Sequence, residues 1–270
     1  MSSTYRLAAA AACLAASLAP THAAAQGTDA WNFSAAIYGY FPTIGGSTTF
    51  PPSGGSKSAS VDIGTILDNL NFTFMGSFEA RKGEWGGLAD LIYMDVSASK
   101  TLTGGLTIGG VVPASATADV TLDLKGSVLT LAGTYRALNT TDHTADIVFG
   151  ARQLNVKPKL GWQFSSNVGQ ISPPDRAGSR EVTLDNWDAI IGFKGRAAFG
   201  EGNRWFVPYY LDMGTGASRF TWQAYAGLGY SFGSWDVLGA WRYISYDFKS
   251  GDVMETMDFN GPGVAVVFRW

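Results

Sequence analysis

The chain has 270 residues, a formal net charge of −3 and only 15% charged residues, against roughly a quarter in an ordinary soluble domain. Thirty-four glycines and 13% aromatics accompany that low charge, a balance that suits strands with alternating polar and apolar residues. A nucleic-acid binder would need a basic stripe, and a helical membrane protein would need about 18 uninterrupted apolar residues; past the N-terminus the chain has neither.

Residues 1–25 read as a secretory signal. Arg6 is the only charge before the Ala/Leu run at 7–18, Pro20 breaks the run, and Ala23-Ala24-Ala25 offers a small-residue cleavage site. Cleavage is expected after Ala25, with Ala23 as the alternative, leaving residues 26–270 as one domain. A lipoprotein signal at Cys13 is disfavoured because the apolar run before it is too short. Cys13 and His22 would leave with the signal. The mature chain then has no thiol for a disulfide, a nucleophile or a metal site, and one histidine, His143.

Residues 31–41 alternate Trp31, Phe33, Ala35, Ile37, Gly39 and Phe41 with Asn32, Ser34, Ala36, Tyr38 and Tyr40. A period of two predicts a strand with one apolar and one polar face. Residues 42–60, rich in Gly, Ser and Pro, read as a long loop. Residues 62–70 read either as a short helix, with Ile63, Ile66, Leu67 and Leu70 on one face, or as irregular loop. Residues 70–82 set Phe72, Phe74, Gly76, Phe78 and Ala80 against Thr73, Ser77, Glu79 and Arg81, and 82–84 is a tight turn. Residues 85–96 carry Trp85, Ala89, Leu91 and Tyr93 outward and Asp90 inward. Residues 97–118 read as a second long loop, with an extension of the flanking strands beyond the membrane as the reading of its outer part.

The last half of 119–138 places Leu129, Leu131, Gly133 and Tyr135 against Thr130, Thr134 and Arg136. Residues 144–156 set Ala145, Ile147, Phe149 and Ala151 against Asp146, Gly150 and Arg152, and 157–185 is a third long loop. In 186–199, Trp187, Ala189, Ile191 and Phe193 oppose Asp188, Gly192, Lys194 and Arg196. Residues 204–213 send Trp205, Val207, Tyr209, Leu211 and Met213 outward, with Pro208 and Asp212 on the other face. Residues 219–232 and 235–248 alternate in the same way, the latter with Asp236 and Arg242 inward. The final strand, 258–270, ends with Val264, Val266, Phe268 and Trp270 on one face and Gly263, Ala265, Val267 and Arg269 between them.

The tally is ten strands, with eight or twelve as alternatives. Short turns alternate with connections that are longer in all but one case, residues 214–218, much as in an outer-membrane barrel with short periplasmic turns and long external loops. Both termini then lie in the periplasm. The membrane-spanning part of each apolar face lacks Asp, Glu, Lys and Arg, which fits contact with lipid, where a midplane Lys or Arg costs roughly 2–4 kcal/mol. Trp31, Trp85, Trp205 and Trp235, with Trp270, sit at the same predicted ends of their strands, as an interfacial aromatic girdle would. The expected fold is an all-β, closed, antiparallel up-and-down transmembrane β-barrel.

Three stretches carry a resemblance: Trp-Asp-Ala-Ile-Ile-Gly-Phe-Lys-Gly-Arg at 187–196, residues 210–248, and the terminal Val-Ala-Val-Val-Phe-Arg-Trp. They resemble the small outer-membrane β-barrel or surface-antigen families of Gram-negative bacteria, related in architecture to the OmpA/OmpX type. The alternating apolar C-terminus, Val264, Val266, Phe268 and Trp270, is similar to the insertion signal of such barrels. The resemblance implies location in the outer membrane, with its lipids and the barrel assembly machinery as partners. It implies no reaction and leaves the partners of the external loops open. The chain departs from the eight-strand type by about one hairpin.

The inward parity collects Glu79, Arg81, Asp90, Arg136, Asp146, Arg152, Asp188, Lys194, Arg196, Asp212, Asp236, Arg242 and Arg269. Mixed signs point first to an ion-pair network filling a narrow lumen, since buried charges must be paired. A small aqueous pore with charged walls is the alternative, and an outer-membrane enzyme the second. Arg152 is expected to pair with Asp188, with Asp212 nearby, and Lys194 and Arg242 to face Glu79 and Asp90. Outer-membrane enzymes of similar architecture use a histidine base beside a Ser or Asp, whereas His143 falls in a predicted turn. No cofactor or metal motif is present, so the expectation is a structural or surface-interaction barrel without enzymatic activity.

Overall fold

The computed structural model describes residues 30–48, 57–61, 64, 68, 70–108, 112–168, 176–181, 183–249 and 254–270. The signal segment and most of the 62–70 helix-or-loop stretch lie outside the described residues. Among the described residues the strands are β1 (Trp31–Tyr40), β2 (Thr43–Thr48), β3 (Lys57–Val61), β4 (Leu70–Lys82), β5 (Trp85–Ile108), β6 (Val112–Asn139), β7 (His143–Val168), β8 (Arg176–Glu181), β9 (Leu184–Phe199), β10 (Trp205–Gly216), β11 (Phe220–Ser231), β12 (Trp235–Asp247) and β13 (Met254–Arg269).

Ten of them close into an antiparallel ring in the order β1, β4, β5, β6, β7, β9, β10, β11, β12, β13. Closure comes from β1, which pairs with β4 on one side and with β13 on the other, from Ser34 opposite Arg269 to Tyr40 opposite Gly263. A closed ring leaves no unpaired edge in its wall, the condition a sheet must meet to cross lipid. The fold is the ten-stranded up-and-down barrel that the alternation predicts.

Side-chain parity follows from the pleat. Ile37, Phe72, Phe78, Phe149, Ile191, Phe193, Met213, Leu228, Trp241 and Val264 are exposed on the outer surface, while Thr130, Asp146, Arg152, Asp188, Asp212 and Asp236 are buried inside. Such an apolar exterior around a polar interior inverts the order of a water-soluble protein and fits a lipid surround. Four short connections join β4 to β5, β6 to β7, β9 to β10 and β11 to β12 at one end of the barrel, and β10 and β11 are joined as briefly at the other. Gly83 (φ 59°) and Gly233 (φ 102°) turn two of them, in a backbone region that other residues rarely enter. These turns lie at the end of the barrel that carries both chain termini, hereafter the terminal end.

Three stretches expected as loops contain strand instead. Residues 97–118 are spanned by a β5–β6 ladder that continues to Ile108 opposite Val112. Residues 157–185 hold the far part of β7 and its partner β8, and 42–60 hold β2 and β3, with β2 continuing along β13. At 24, 28 and 26 residues, β5, β6 and β7 are more than twice the roughly 9–11 residues a tilted strand needs to cross a bilayer. A hairpin that runs past the membrane needs no apolar face. Its Gly-, Ser- and Thr-rich composition therefore reads as loop although its backbone pairs as sheet.

Candidate functional site

The interior is layered along the barrel axis. At the terminal end two groups of charges stand on different parts of the wall. On β4, β6 and β7, Arg81 and Arg136 share Asp146: Arg81 Nη2 donates to its Oδ2 and Arg136 Nε to its Oδ1. Arg136 also donates to Asn139 Oδ1 at 3.2 Å. On β9, β12 and β13, Arg196 and Arg269 share Asp236. Arg196 Nη1 donates to Oδ2 at 2.8 Å, while Arg269 Nη2 meets Oδ1 as a charge contact without hydrogen-bond alignment. The Arg196 guanidinium lies 3.5 Å above the centre of the Phe206 ring.

Further in, two ion pairs cross the lumen. Lys194 on β9 donates to Glu79 on β4, four strands away around the ring. Arg242 on β12 donates to Asp90 Oδ2 on β5 at 2.7 Å and to Gln223 Oε1 at 2.9 Å. Tyr38 closes this group, its hydroxyl donating to Asp90 Oδ1 at 2.7 Å and accepting from Arg242 Nη1 at 3.1 Å. Strand backbones hold each of these side chains inward by parity, and the long Arg and Lys arms then reach across a narrow ring.

Arg152, Asp188 and Asp212 form the next layer and are fully buried. Arg152 donates to Asp212, to Thr130 Oγ1 and Thr221 Oγ1 (both 3.4 Å), and Tyr210 adds a 2.6 Å hydrogen bond to Asp212 Oδ2. The expected Arg152–Asp188 pair is not the one formed. Asp188 Oδ1 instead accepts the Ser218 backbone N–H at 2.7 Å.

Beyond this layer the interior turns apolar. Tyr40, Ile44, Met75, Ile92, Met94, Val128, Leu154, Val156, Ile244, Tyr246 and Phe259 pack into one buried cluster. A largely polar filling was expected; the distal half is packed with hydrocarbon and aromatic rings instead. The sequence carries a signal for this in consecutive apolar residues on both parities, such as Leu91-Ile92, Val128-Leu129 and Ile190-Ile191. A strand with lipid outside and a packed core inside is apolar on both faces.

The terminal half is not filled. It holds a cavity of about 1240 Å³, bounded on β1, β4, β12 and β13 by Ser34, Ala36, Ser77, Ala240, Gly263 and Ala265. Those inward side chains are too small to meet across the ring, which is why space remains. Glu79, Arg81, Asp90, Lys194, Arg196 and Arg242 line it, together with Tyr38, Tyr40, Tyr210 and Tyr225. The tyrosines were missed as site residues because one polar-face aromatic per strand gives no local pattern; they converge only when the ring closes.

Trp31, Trp85, Trp205, Trp235 and Trp270 all stand at the terminal end and are exposed. Trp270 stacks on Phe33 at 6.0 Å, so the residue that follows β13 is tied to the start of β1. Val264, Val266 and Phe268 continue the same outward face. Among the described residues no group of three or more His, Cys, Asp or Glu could hold a metal ion. His143 opens β7 at the edge of the β6–β7 turn, with Nδ1 3.2 Å from Asp142 Oδ2 and its backbone N–H donating to Thr140 Oγ1 at 3.0 Å. Thr140 also donates to Asp142 at 3.1 Å, which holds that exposed carboxyl below its usual range. These contacts close a turn.

The chain is similar in structure to the outer membrane protease OmpT from Escherichia coli, with a TM-score of 0.53 and 11% identity over 92% of this chain and 99% of that one. Weaker likenesses are to the translocator domain of the autotransporter NalP from Neisseria meningitidis (TM-score 0.35, 14% identity, 91% and 90% covered) and to Ail, the attachment invasion locus protein of Yersinia pestis (TM-score 0.30, 10% identity, 90% and 99% covered). At such identities the likeness is one of fold, that of an outer-membrane β-barrel. No family model and no curated protein matches the chain.

Proposed function

We propose that this chain is an integral outer-membrane barrel of Gram-negative type, of small OmpA/OmpX-like architecture enlarged by one hairpin. Its role in this reading is structural or surface-interacting, presenting the extended β5–β6–β7 walls outside the cell. Short turns beside both termini and long hairpins opposite them support an orientation with the termini in the periplasm. Trp270 and the alternating residues before it act as the signal read by the assembly machinery, and the tryptophans at the terminal end sit at the lipid headgroups. The barrel is not an enzyme in this reading, because the contacts of His143, at the edge of the β6–β7 turn, close that turn.

The observation that carries a non-conducting role is the seal across the distal half: the Arg152–Asp212 layer and the apolar cluster beyond it. Ions need a continuous wet path or closely spaced polar sites to cross, and a packed apolar layer supplies neither. Planar-bilayer recording tests this. The purified barrel should give no discrete conductance steps. Regular steps from the wild-type protein would replace this reading with a narrow porin-like channel, for which the open terminal cavity is the favouring feature.

A further inference from the structure

We propose that the cavity in the terminal half of the barrel is a binding pocket for a small organic anion, whose oxyanion group is held between Arg196 and Arg269. The side chains of the cavity wall include six cations and five carboxylates. Lys194–Glu79 and Arg242–Asp90 are balanced pairs, but Asp146 serves two arginines and so does Asp236. Glu84 also lines the wall, but on the β4–β5 turn beside Arg81 and Arg136, so it offsets the group at Asp146 and leaves two arginines to one carboxylate at Asp236.

The two arginine pairs are not equally available. Arg81 and Arg136 spend further donors on Glu84 O, Thr134 Oγ1 and Asn139 Oδ1. Arg196, by contrast, makes one hydrogen bond, to Asp236, and is otherwise laid on Phe206. Arg269 reaches Ser231 Oγ at 3.3 Å, yet its Nε is buried with no hydrogen-bond partner. A guanidinium carries five N–H donors in a fork that matches a carboxylate or phosphate in two parallel bonds. Both side chains are about a quarter to a third exposed at the mouth (24% and 37%), so an incoming anion can reach them.

Cavity shape argues for an organic body behind the charged group. The volume exceeds the roughly 300–1,000 Å³ of ordinary small-molecule sites. Inward from the arginines the wall is Ala36, Ala265, Leu88 and Leu238, and the floor carries Tyr38, Tyr40 and Tyr225. That lining offers apolar surface with a few hydroxyls and suits an uncharged chain or ring. A bare inorganic ion would leave it unused.

The test uses the full barrel in detergent, with titration calorimetry corrected against empty micelles. Hexanoate should bind saturably and weaken as salt rises; hexanol and inorganic phosphate should bind at least about tenfold more weakly, the scale of one lost charge-assisted hydrogen-bond pair. Arg269→Gln should lose a similar factor, whereas Arg219→Gln, which removes the same charge from an exposed pair at the other end, should not. If Arg269→Gln does not assemble, Ala265→Leu, which fills the wall without touching a charge, should lose hexanoate binding while keeping heat-modifiable migration. Absence of saturable hexanoate binding, equal binding of phosphate or hexanol, or loss in Arg219→Gln as large as in Arg269→Gln overturns the proposal. So does a folded Ala265→Leu that binds unchanged.

Discussion

Arg152 and Asp188 are register partners across the β7–β9 ladder, yet the guanidinium passes over that carboxylate and pairs with Asp212 on β10. Reach permits this: an arginine arm is long enough to span two strand spacings of about 4.8 Å each. Asp188 is held at Oδ1 by the Ser218 backbone N–H, and its Oδ2 has no hydrogen-bond partner among the described residues. The result is a fully buried ion pair that ties β7 to β10 across β9 and, through Thr221, to β11.

Removing one member of that pair should be costly. Arg152→Leu leaves Asp212 buried with only the Tyr210 hydroxyl facing it, and the barrel should lose about 3–5 kcal/mol. The midpoint of urea unfolding, read by heat-modifiable gel migration, measures this. The double variant Arg152→Leu/Asp212→Leu should recover most of the loss, because no charge is then stranded. Asp188→Asn keeps an acceptor for Ser218 and should cost less than Asp212→Asn; the reverse ranking would show that Asp188 is the true partner.

Gly150 is a second point of constraint. A Cβ there would meet the Leu131 carbonyl oxygen and would lie 2.5 Å from the Ala132 Cα. Both are backbone atoms of the paired strand, which cannot move without breaking the β6–β7 ladder. Gly150→Ala should therefore abolish assembly, while Gly239→Ala, whose Cβ meets nothing within 4 Å, should assemble at wild-type levels. Comparable yields of the two would show that the wall is looser than its register implies.

The outer face can be probed at Ile191, which is 60% exposed and flanked by Phe149 and Met213 in register. Ile191→Lys should destabilise the barrel in lipid vesicles by roughly 2–4 kcal/mol, as expected for a cation near the bilayer midplane. A loss below about 1 kcal/mol would place this residue at the interface.

Trp270→Ser should lower the amount of heat-modifiable barrel recovered from outer membranes. The substitution removes the ring that stacks on Phe33 and meets Phe78 at a tilt, and with it an aromatic contact at the end of the β1–β13 seam. Unchanged outer-membrane levels would leave Trp270 with a packing role and no role in assembly.

Alternation was enough to read the wall. Trp187-Asp188-Ala189 through Phe193-Lys194 announces one face to lipid and one to the lumen, because the pleat imposes a period of two. Short turns such as Gly83-Glu84 announce hairpins, and ten such segments announce a closed ring. Alternation failed where lipid was absent from both sides of a strand. Residues 97–108 and 112–118 carry no apolar stripe, so the sequence suggests that the flanking strands extend here but not that the ladder runs to Ile108 opposite Val112. It failed again at Met75, Ile92 and Val128, where the inward parity is apolar and packs the distal half.

What the sequence by itself determined is the barrel, its strand parity and the identity of the inward charges, since all three follow from local spacing along the chain. Tertiary structure alone decided which charge meets which, where the lumen is packed and where it stays open. Pairs such as Lys194–Glu79 and Arg242–Asp90 join strands four places apart around the ring. Their meeting depends on ring closure and strand stagger, and the cavity depends on small residues from β1, β4, β12 and β13 coming together on one side. Those distances are set by the whole circumference, and no window of the chain contains them.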